Sequence, residues 1–367
     1  MINNKPLLGT AMMAETDFVS AILPLFENNE IDILEWSFDT FYHADEPKWL
    51  SDLLDFYSKN NRLIGHGVYY SLFHAKWTER QDDWIEKLKS ETKKRNYNHI
   101  TEHFGFMNTE NYHQGIPLPV PLHPKILQIG KDRILRLHDA IEIPVGIENL
   151  AFSFSVDDVK EQGEFLEKLI EDIDGFLILD LHNLYCQAVN FNIDLLELVN
   201  MYPLEKVREI HLSGGSWEDS FYTAGKRIRR DTHDDSIPTE ILEILPKVLA
   251  LCSQLEYIII ERLGHTLTKQ TDTTSFLNDF KKVRQIVNSS EINSFLKKNR
   301  KKKNQITGNP LEDLLLFEDQ AELTKLLFDS VDPEIIKKHN FNYFEIEKWD
   351  LEMIDTASKI IKKWNPY

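Results

Sequence analysis

The chain is 367 residues long, 42% hydrophobic and 28% charged, the balance of an ordinary globular protein with room for one large domain and a small one. Its net charge of −18 sits almost wholly in residues 1–290, with residues 291–367 carrying about −1; so acidic a body repels phosphate backbones and excludes a general nucleic-acid footprint. Two cysteines, Cys186 and Cys252, exclude a disulfide framework and a thiolate zinc site and fit a cytoplasmic protein, while no apolar run approaches the roughly 20 residues of a membrane span and no signal-peptide pattern opens the chain.

Eight short, β-rich apolar runs precede residue 265: Leu7–Met13, Ile31–Ser37, Arg62–Tyr70, His99–Phe106, Ile143–Leu150, Phe176–Leu181, Val207–Ser213 and Tyr257–Arg262. Amphipathic stretches fill the gaps, among them Trp84–Glu91 and Asp158–Asp172. Eight strands alternating with helices predict an α/β fold, a (β/α)8 TIM barrel over residues 1–290. Residues 107–125 hold Pro117, Pro119, Pro121 and Pro124 and read as a long loop above the C-terminal face. A basic linker follows at 291–310, containing Leu296–Asn304, and residues 311–367 read as a small helical C-terminal extension.

The C-terminal ends of barrel strands converge on one site. Here they carry His66, His103, Glu148, Asp180 with Asn183, His211 and Glu261, and the loop after the seventh strand adds Asp231 and His233. A lone His or Glu at a strand end is ordinarily a hydrogen-bonded rim residue or an ion-pair partner. Four carboxylates and four imidazoles in one mouth would repel or go unsatisfied without cations, so metal is the economical reading. Nine donors exceed the roughly three to six that one first-row ion takes, which implies two or three ions sharing carboxylates. Mixed nitrogen and oxygen donors without thiolate suit iron, manganese or zinc.

In this order, Gly65-His66-Gly67, Thr101-Glu102-His103, Gly146-Ile147-Glu148-Asn149-Leu150, Leu179-Asp180 with Asn183, His211-Leu212-Ser213-Gly214-Gly215, Asp231-Thr232-His233-Asp234 and Ile260-Glu261-Arg262 resemble the multinuclear non-heme iron oxidative enzymes. The resemblance covers residues 5–290 and implies a xylose-isomerase-like barrel. It further implies two to three iron ions of mixed Fe2+/Fe3+ valence, O2 as cosubstrate, and oxidative remodelling of a residue, often cysteine, in a ribosomally made precursor peptide. Carried over, all nine donors would be iron ligands, with Glu148, Asp180 and His211 acting through the cluster and Glu148 as the bridging candidate. A second protein that captures the leader peptide is a partner often found in that family.

Glu35 resembles an acidic family position near the site, with a structural ion pair as the equal alternative; Asp234 and Arg262 adjoin ligands as orienting groups. His182, read on a strand, points away from Asp180 and Asn183. The basic run Lys226-Arg227-Ile228-Arg229-Arg230 is positioned to hold a phosphate or an acidic leader peptide. Loop 107–125 and the extension are candidates for touching peptide or partner. Two rival readings share the barrel: a trinuclear zinc phosphodiesterase of the abasic-site endonuclease type, which has a His where this chain has Asn183, and a sugar isomerase using fewer donors.

Overall fold

The computed structural model describes residues 5–109, 113–173, 175–290, 306 and 308–364, without the side chains of residues 113–116 and 364. Eight parallel strands close into one barrel: β1 (Leu7–Met12), β2 (Ile33–Trp36), β3 (Leu63–His66), β4 (Ile100–His103), β5 (Val145–Glu148), β6 (Phe176–Asp180), β7 (Val207–Leu212) and β8 (Tyr257–Ile260). Each neighbour in that series pairs with the next, and β1 closes on β8 with Leu7 opposite Tyr257. All eight expected strands are present, shortened because the polar residues at their ends turn into loops.

Eight helices follow the eight strands: α1 (Thr16–Glu27), α2 (Lys48–Lys59), α3 (Glu79–Lys94), α4 (Pro124–Ile141), α5 (Val156–Ile170), α6 (Leu181–Phe191), α7 (Thr239–Leu251) and α8 (Gln270–Ser289). Their starts are written in the sequence. Thr78 and Gln81 make a capping box for α3, Ser155 and Asp158 another for α5, and Pro124 opens α4 where its missing N–H costs nothing.

Strand alternation sorts the barrel into two cores. Leu8, Leu34, Ile100, Ile147, Leu179, Ile210 and Ile258 face outward into the layer beneath the helices. Ala11, Ile33, Ile64, Tyr257 and Ile259 form a small plug inside. Two residues beyond the plug on β2, β3 and β8, toward the C-terminal end, come Glu35, His66 and Glu261.

The segment 107–125 is not a plain loop. Phe106–Asn108 pairs antiparallel with His113–Leu118, with Phe106 opposite Leu118, before α4 begins. Prolines are tolerated on such an edge, where no ladder partner needs their N–H. A second hairpin, Trp217–Asp219 with Arg227–Arg229, stands in the β7–α7 connection. Gly214 and Gly215 make the approach possible, since a Cβ at either would lie 2.0 and 2.1 Å from the carbonyl oxygens of Ser236 and Arg230.

The basic run Leu296–Asn304 lies outside the described residues, as does most of the expected linker. The extension is helical: α9 (Leu314–Phe328) and α10 (Leu351–Trp364) pack on each other and across the C-terminal loops of the barrel. Gln320 donates to Phe73 O at 2.7 Å and accepts from Ala75 N at 3.1 Å, tying α9 to the β3–α3 loop. Thr324 meets Thr109 in the first hairpin at 3.2 Å. Trp349 stacks on Phe154 of the β5–α5 loop, with centroids 3.8 Å apart and planes 9° apart. Glu352 takes Ser220 at 2.6 Å and pairs with Lys226, and Lys359 pairs with Glu218 at 2.6 Å, both in the second hairpin.

Contacts this extensive join the extension to the barrel as one cooperative unit. Trp349→Ala should cost about 3–4 kcal/mol, the range for a buried large aromatic, and shift a single urea transition followed by circular dichroism. Two separate transitions, or a cost below about 1 kcal/mol, would show that the extension folds by itself.

Candidate metal centre

The side chains at the strand ends converge in two compact groups that share one residue. In the first, His66 Nε2 and His103 Nε2 are 3.3 Å apart and each lies 3.3 Å from Glu148 Oε2. Donors at about 2.1 Å from a single ion stand about 3.0–3.4 Å from one another, so this triangle has the dimensions of a metal's ligand face. In the second, His211 Nδ1 lies 3.6 Å from Glu148 Oε1 and 3.5 Å from Glu261 Oε1, and Asp180 completes the set. Glu148 thus offers one oxygen to each group.

The surroundings fix the orientation of the first two imidazoles. Thr101 Oγ1 donates to Gly65 O at 3.1 Å, so at 2.8 Å it accepts the Nδ1–H of His66; His103 Nδ1 donates to Gly67 O at 3.0 Å. Both rings therefore turn Nε2 toward Glu148. Glu148 Oε2, Asp180 Oδ2, Asn183 Oδ1, His211 Nδ1 and Glu261 Oε2 are all buried without a hydrogen-bond partner. Buried polar atoms in native proteins rarely go unsatisfied, and five of them on residues that converge among imidazoles and carboxylates fit bound cations.

Local structure explains the spacing of Asp180 and Asn183. β6 passes into α6 without a loop, and Asp180 caps the helix by accepting Asn183 N at 2.6 Å. Asn183, one turn in, donates back to Asn149 O at 2.9 Å and to Glu148 Oε1 at 3.3 Å. Asn149 clasps the backbone of Asp180, accepting its N–H at 2.8 Å and donating to its carbonyl at 3.1 Å. Asn149 and Thr101 went unread in the sequence, although each adjoins a strand-end donor.

Asp231 and His233 lie beside the two groups, bonded to each other: His233 Nε2 is 3.0 Å from Asp231 Oδ1, and 3.9 Å from Glu261 Oε2. His233 takes a left-handed backbone, φ 50°, an uncommon conformation for a residue with a side chain. His182 is on α6 and not on a strand, so that placement is corrected; its Nδ1 reaches Asp231 Oδ1 at 2.8 Å and its Nε2 accepts from Arg229 at 3.1 Å, behind the candidate ligands. Among the remaining expected residues, Glu35 Oε2 lies 3.2 Å from His211 Nε2. Asp234 accepts from Thr232 at 2.6 Å, Arg262 donates to Thr266 at 2.9 Å, and Arg230 pairs with Glu218, so none of these three touches the two groups.

The charges show the same tension. Burial pushes the Asp180 carboxyl well up, and the charges of Glu148, Asp231 and Glu261 push it further. Burial also pushes Glu35 up to about 7. Burial alone would depress the imidazoles, but Glu148 as the acceptor facing His66 Nε2, together with the charges of Glu35 and Glu148, raises His66 to about 9, and Asp231 and Glu261 raise His233 to about 10. His103, with burial and His66 against it, falls to about 4. Solvent reaches the site along His103, Asp231 and His233, whose side chains are 20–22% exposed.

A (β/α)8 barrel with a carboxylate and imidazole cluster at its C-terminal face defines the class. Residues 15–288 match the model of the RiPP precursor modification enzymes MbnB/TglH/ChrH, where RiPP denotes a ribosomally made, modified peptide, and the chain belongs to that family. It is 28% identical over 158 residues to a UPF0276 protein of Acaryochloris marina, covering 42% of this chain and 56% of that one. With a UPF0276 protein of Caulobacter vibrioides it shares 25% over 177 residues, 48% of this chain and 60% of that one. The matched region thus spans little more than half the length of these relatives. Among solved structures, the IolI protein with a bound zinc atom superposes with a TM-score of 0.52 at 13% identity, covering 78% of this chain and 99% of that one, a likeness of fold.

Because His66 and His233 hold protons to about 9 and 10 in the metal-free chain, a cation must displace them. Metal uptake at pH 7 should therefore release protons, measured by calorimetry in buffers of different ionisation enthalpy, and the release should fade above pH 10. The folded-state values are raised, so their contribution to stability is complete below about pH 6.5 and is lost on the way to pH 10. The metal-free chain should melt at lower temperature at pH 10 than at pH 7. Uptake without proton release at pH 7 would remove these histidines from the ligand set.

Proposed function

We propose that the protein is an iron- and O2-dependent enzyme that oxidatively modifies a residue, cysteine first among them, in a ribosomally made precursor peptide. Family membership supports the peptide. The observation that carries the metal reading is Glu148, whose two oxygens belong to two separate donor groups. His66, His103 and Glu148 would hold one iron, Glu148, Asp180, His211 and Glu261 a second, and Asp231 with His233 a third, with Asn183 Oδ1 as a further donor. Bound iron would supply oxygen activation and an open position for a peptide thiolate.

The chain's own groups then have defined tasks. Asn183 and Asn149 hold the β5 and β6 strand ends in register, so that Glu148 and Asp180 stay within reach of each other. Arg229 and His182 orient Asp231 from behind. Peptide would approach along the solvent-facing edge of His103, Asp231 and His233, bordered by the two hairpins and the extension, which are also the surfaces offered to a leader-binding partner.

The phosphodiesterase alternative draws no support from the basic run. Lys226 pairs with Glu352, Arg229 with His182 and Arg230 with Glu218, and Arg227 lies over Trp217 at 5.1 Å. These cations are engaged within the chain rather than turned toward a phosphate. Elemental analysis and Mössbauer spectroscopy of protein purified without oxygen should find two to three irons in mixed valence. Glu148→Ala and His211→Ala should each lose iron and peptide modification together. Three zincs without iron would favour phosphodiester substrates, and full activity at reduced metal content would overturn the ligand assignment.

A further inference from the structure

His211 stands between two sets of carboxylates. Its Nδ1 faces Glu148 and Glu261, and its Nε2 points the other way, 3.1 Å from Glu209 Oε1 in a hydrogen bond and 3.2 Å from Glu35 Oε2. The second oxygen of Glu209 lies 2.7 Å from His99 Nε2, and the His99 ring is held between Phe176 and Tyr257, with centroids at 4.8 and 5.1 Å. Glu209, His99 and His211 are fully buried. Glu209 lies two residues before His211 on β7, whereas the equivalent positions before Asp180, Glu261, Glu35 and His66 are all isoleucine: Ile178, Ile259, Ile33 and Ile64. A lone carboxylate among these isoleucines is expensive to bury, and its contacts are both imidazoles.

We propose that Glu209, backed by His99, is a positioning residue for the metal centre: it takes the Nε2–H of His211 and so leaves Nδ1 unprotonated and free to donate. The inference rests on the metal reading above. His66 and His103 have their Nδ1–H groups held by Thr101 and Gly67 and present Nε2; His211 presents the opposite nitrogen, so it needs an acceptor on the opposite side. Without Glu209 the one carboxylate left on that side is Glu35, whose Oε2 is 3.2 Å away but makes no hydrogen bond, while Nδ1 faces both Glu148 and Glu261 and would carry the proton toward them. A hydrogen bond there would satisfy the metal-free chain and close the donor position. Glu35, Glu209 and His211 lie close enough to hold an ion of their own. In that case His211 would have to lose both ring protons and bridge, and the ion would compete with His99 Nε2, 2.7 Å from the second oxygen of Glu209.

The test uses the full chain and Co2+ as the probe, followed by its visible absorption. Glu209→Leu keeps the volume and removes the acceptor, and it should weaken Co2+ binding roughly 10- to 100-fold. Glu209→Gln, whose amide oxygen accepts the same N–H, should stay within about threefold of the parent, and His99→Phe should fall between the two. Against burial, the carboxylates of Glu35, Glu261, Glu148 and Glu209 hold His211 protonated well above the usual imidazole range, so the nitrogen-15 spectra of the metal-free chain are taken at alkaline pH, past the loss of its second proton. They should show the Nε2–H tautomer in the parent and in Glu209→Gln, and the Nδ1–H tautomer in Glu209→Leu. A merely structural Glu209 would change the melting temperature and leave the tautomer alone. Parent-like Co2+ affinity and tautomer in Glu209→Leu would overturn the proposal. So would loss of one whole equivalent of Co2+ from both variants with the other sites unweakened, since that marks an ion bound by Glu209 itself. A parent chain that takes up no Co2+ would overturn the metal reading alone, and the tautomer would still decide the role of Glu209.

Discussion

Five carboxylates, those of Glu35, Glu148, Asp180, Asp231 and Glu261, are brought to one end of a narrow barrel with a sixth, Glu209, beneath them, where water can solvate few of them. Like charges so placed repel, and each loses hydration, so the fold is possible only if cations or protons accompany them. The metal-free chain answers with protons: the Asp180 carboxyl is pushed up, and His66 and His233 are held charged well above neutral pH. Glu148 is the point on which this balance turns, because it alone touches His66, His103 and His211. A cation on either side of Glu148 replaces protons with a charge that belongs there.

Rigid elements hold that crowd in place. Each donor of the two compact groups sits at the end of a strand whose outward residues are locked into the layer beneath the helices. Short polar clasps, Asn149 on Asp180 and Thr101 on His66, then remove the remaining rotational freedom. The extension acts at a further remove. By bonding to the connections after β3, β4, β5 and β7, it secures the two hairpins that border the site without supplying any donor itself.

The barrel and its donors were legible because two simple periods agree. Alternation along a strand places every second residue inside, and strand ends share one face, so His66, Glu148, Asp180, His211 and Glu261 could be read to one site before any coordinates. What escaped were features that depend on partners distant in sequence. Three of the four hairpin strands are three residues long, too short for a period to show, and the fourth, His113–Leu118, lies among prolines that read as a loop. His182 reads as part of a strand, but α6 begins immediately after Asp180, and only the fold shows that its partner is Asp231. Glu209 falls in the middle of β7, where a residue is expected to pack rather than to bond; the approach of His99, the residue before β4, and of His211 shows that it has partners.

These omissions share a cause. Donors are recognised by residue type, but the tautomer each imidazole presents is set by what lies behind it, and that is a property of packing. Thr101 and the carbonyl of Gly67 decide the matter for His66 and His103, and Glu209 for His211. In the pair Asp231 and His233, Asp231 has such a frame in His182 and Arg229, whereas His233 sits on a left-handed loop backbone with Asp231 as its hydrogen-bond partner. Both lie on the solvent-facing edge, on a loop rather than a strand. His233 is thus the least tightly framed of these imidazoles, and it lies on the solvent-facing edge from which a ligand would arrive.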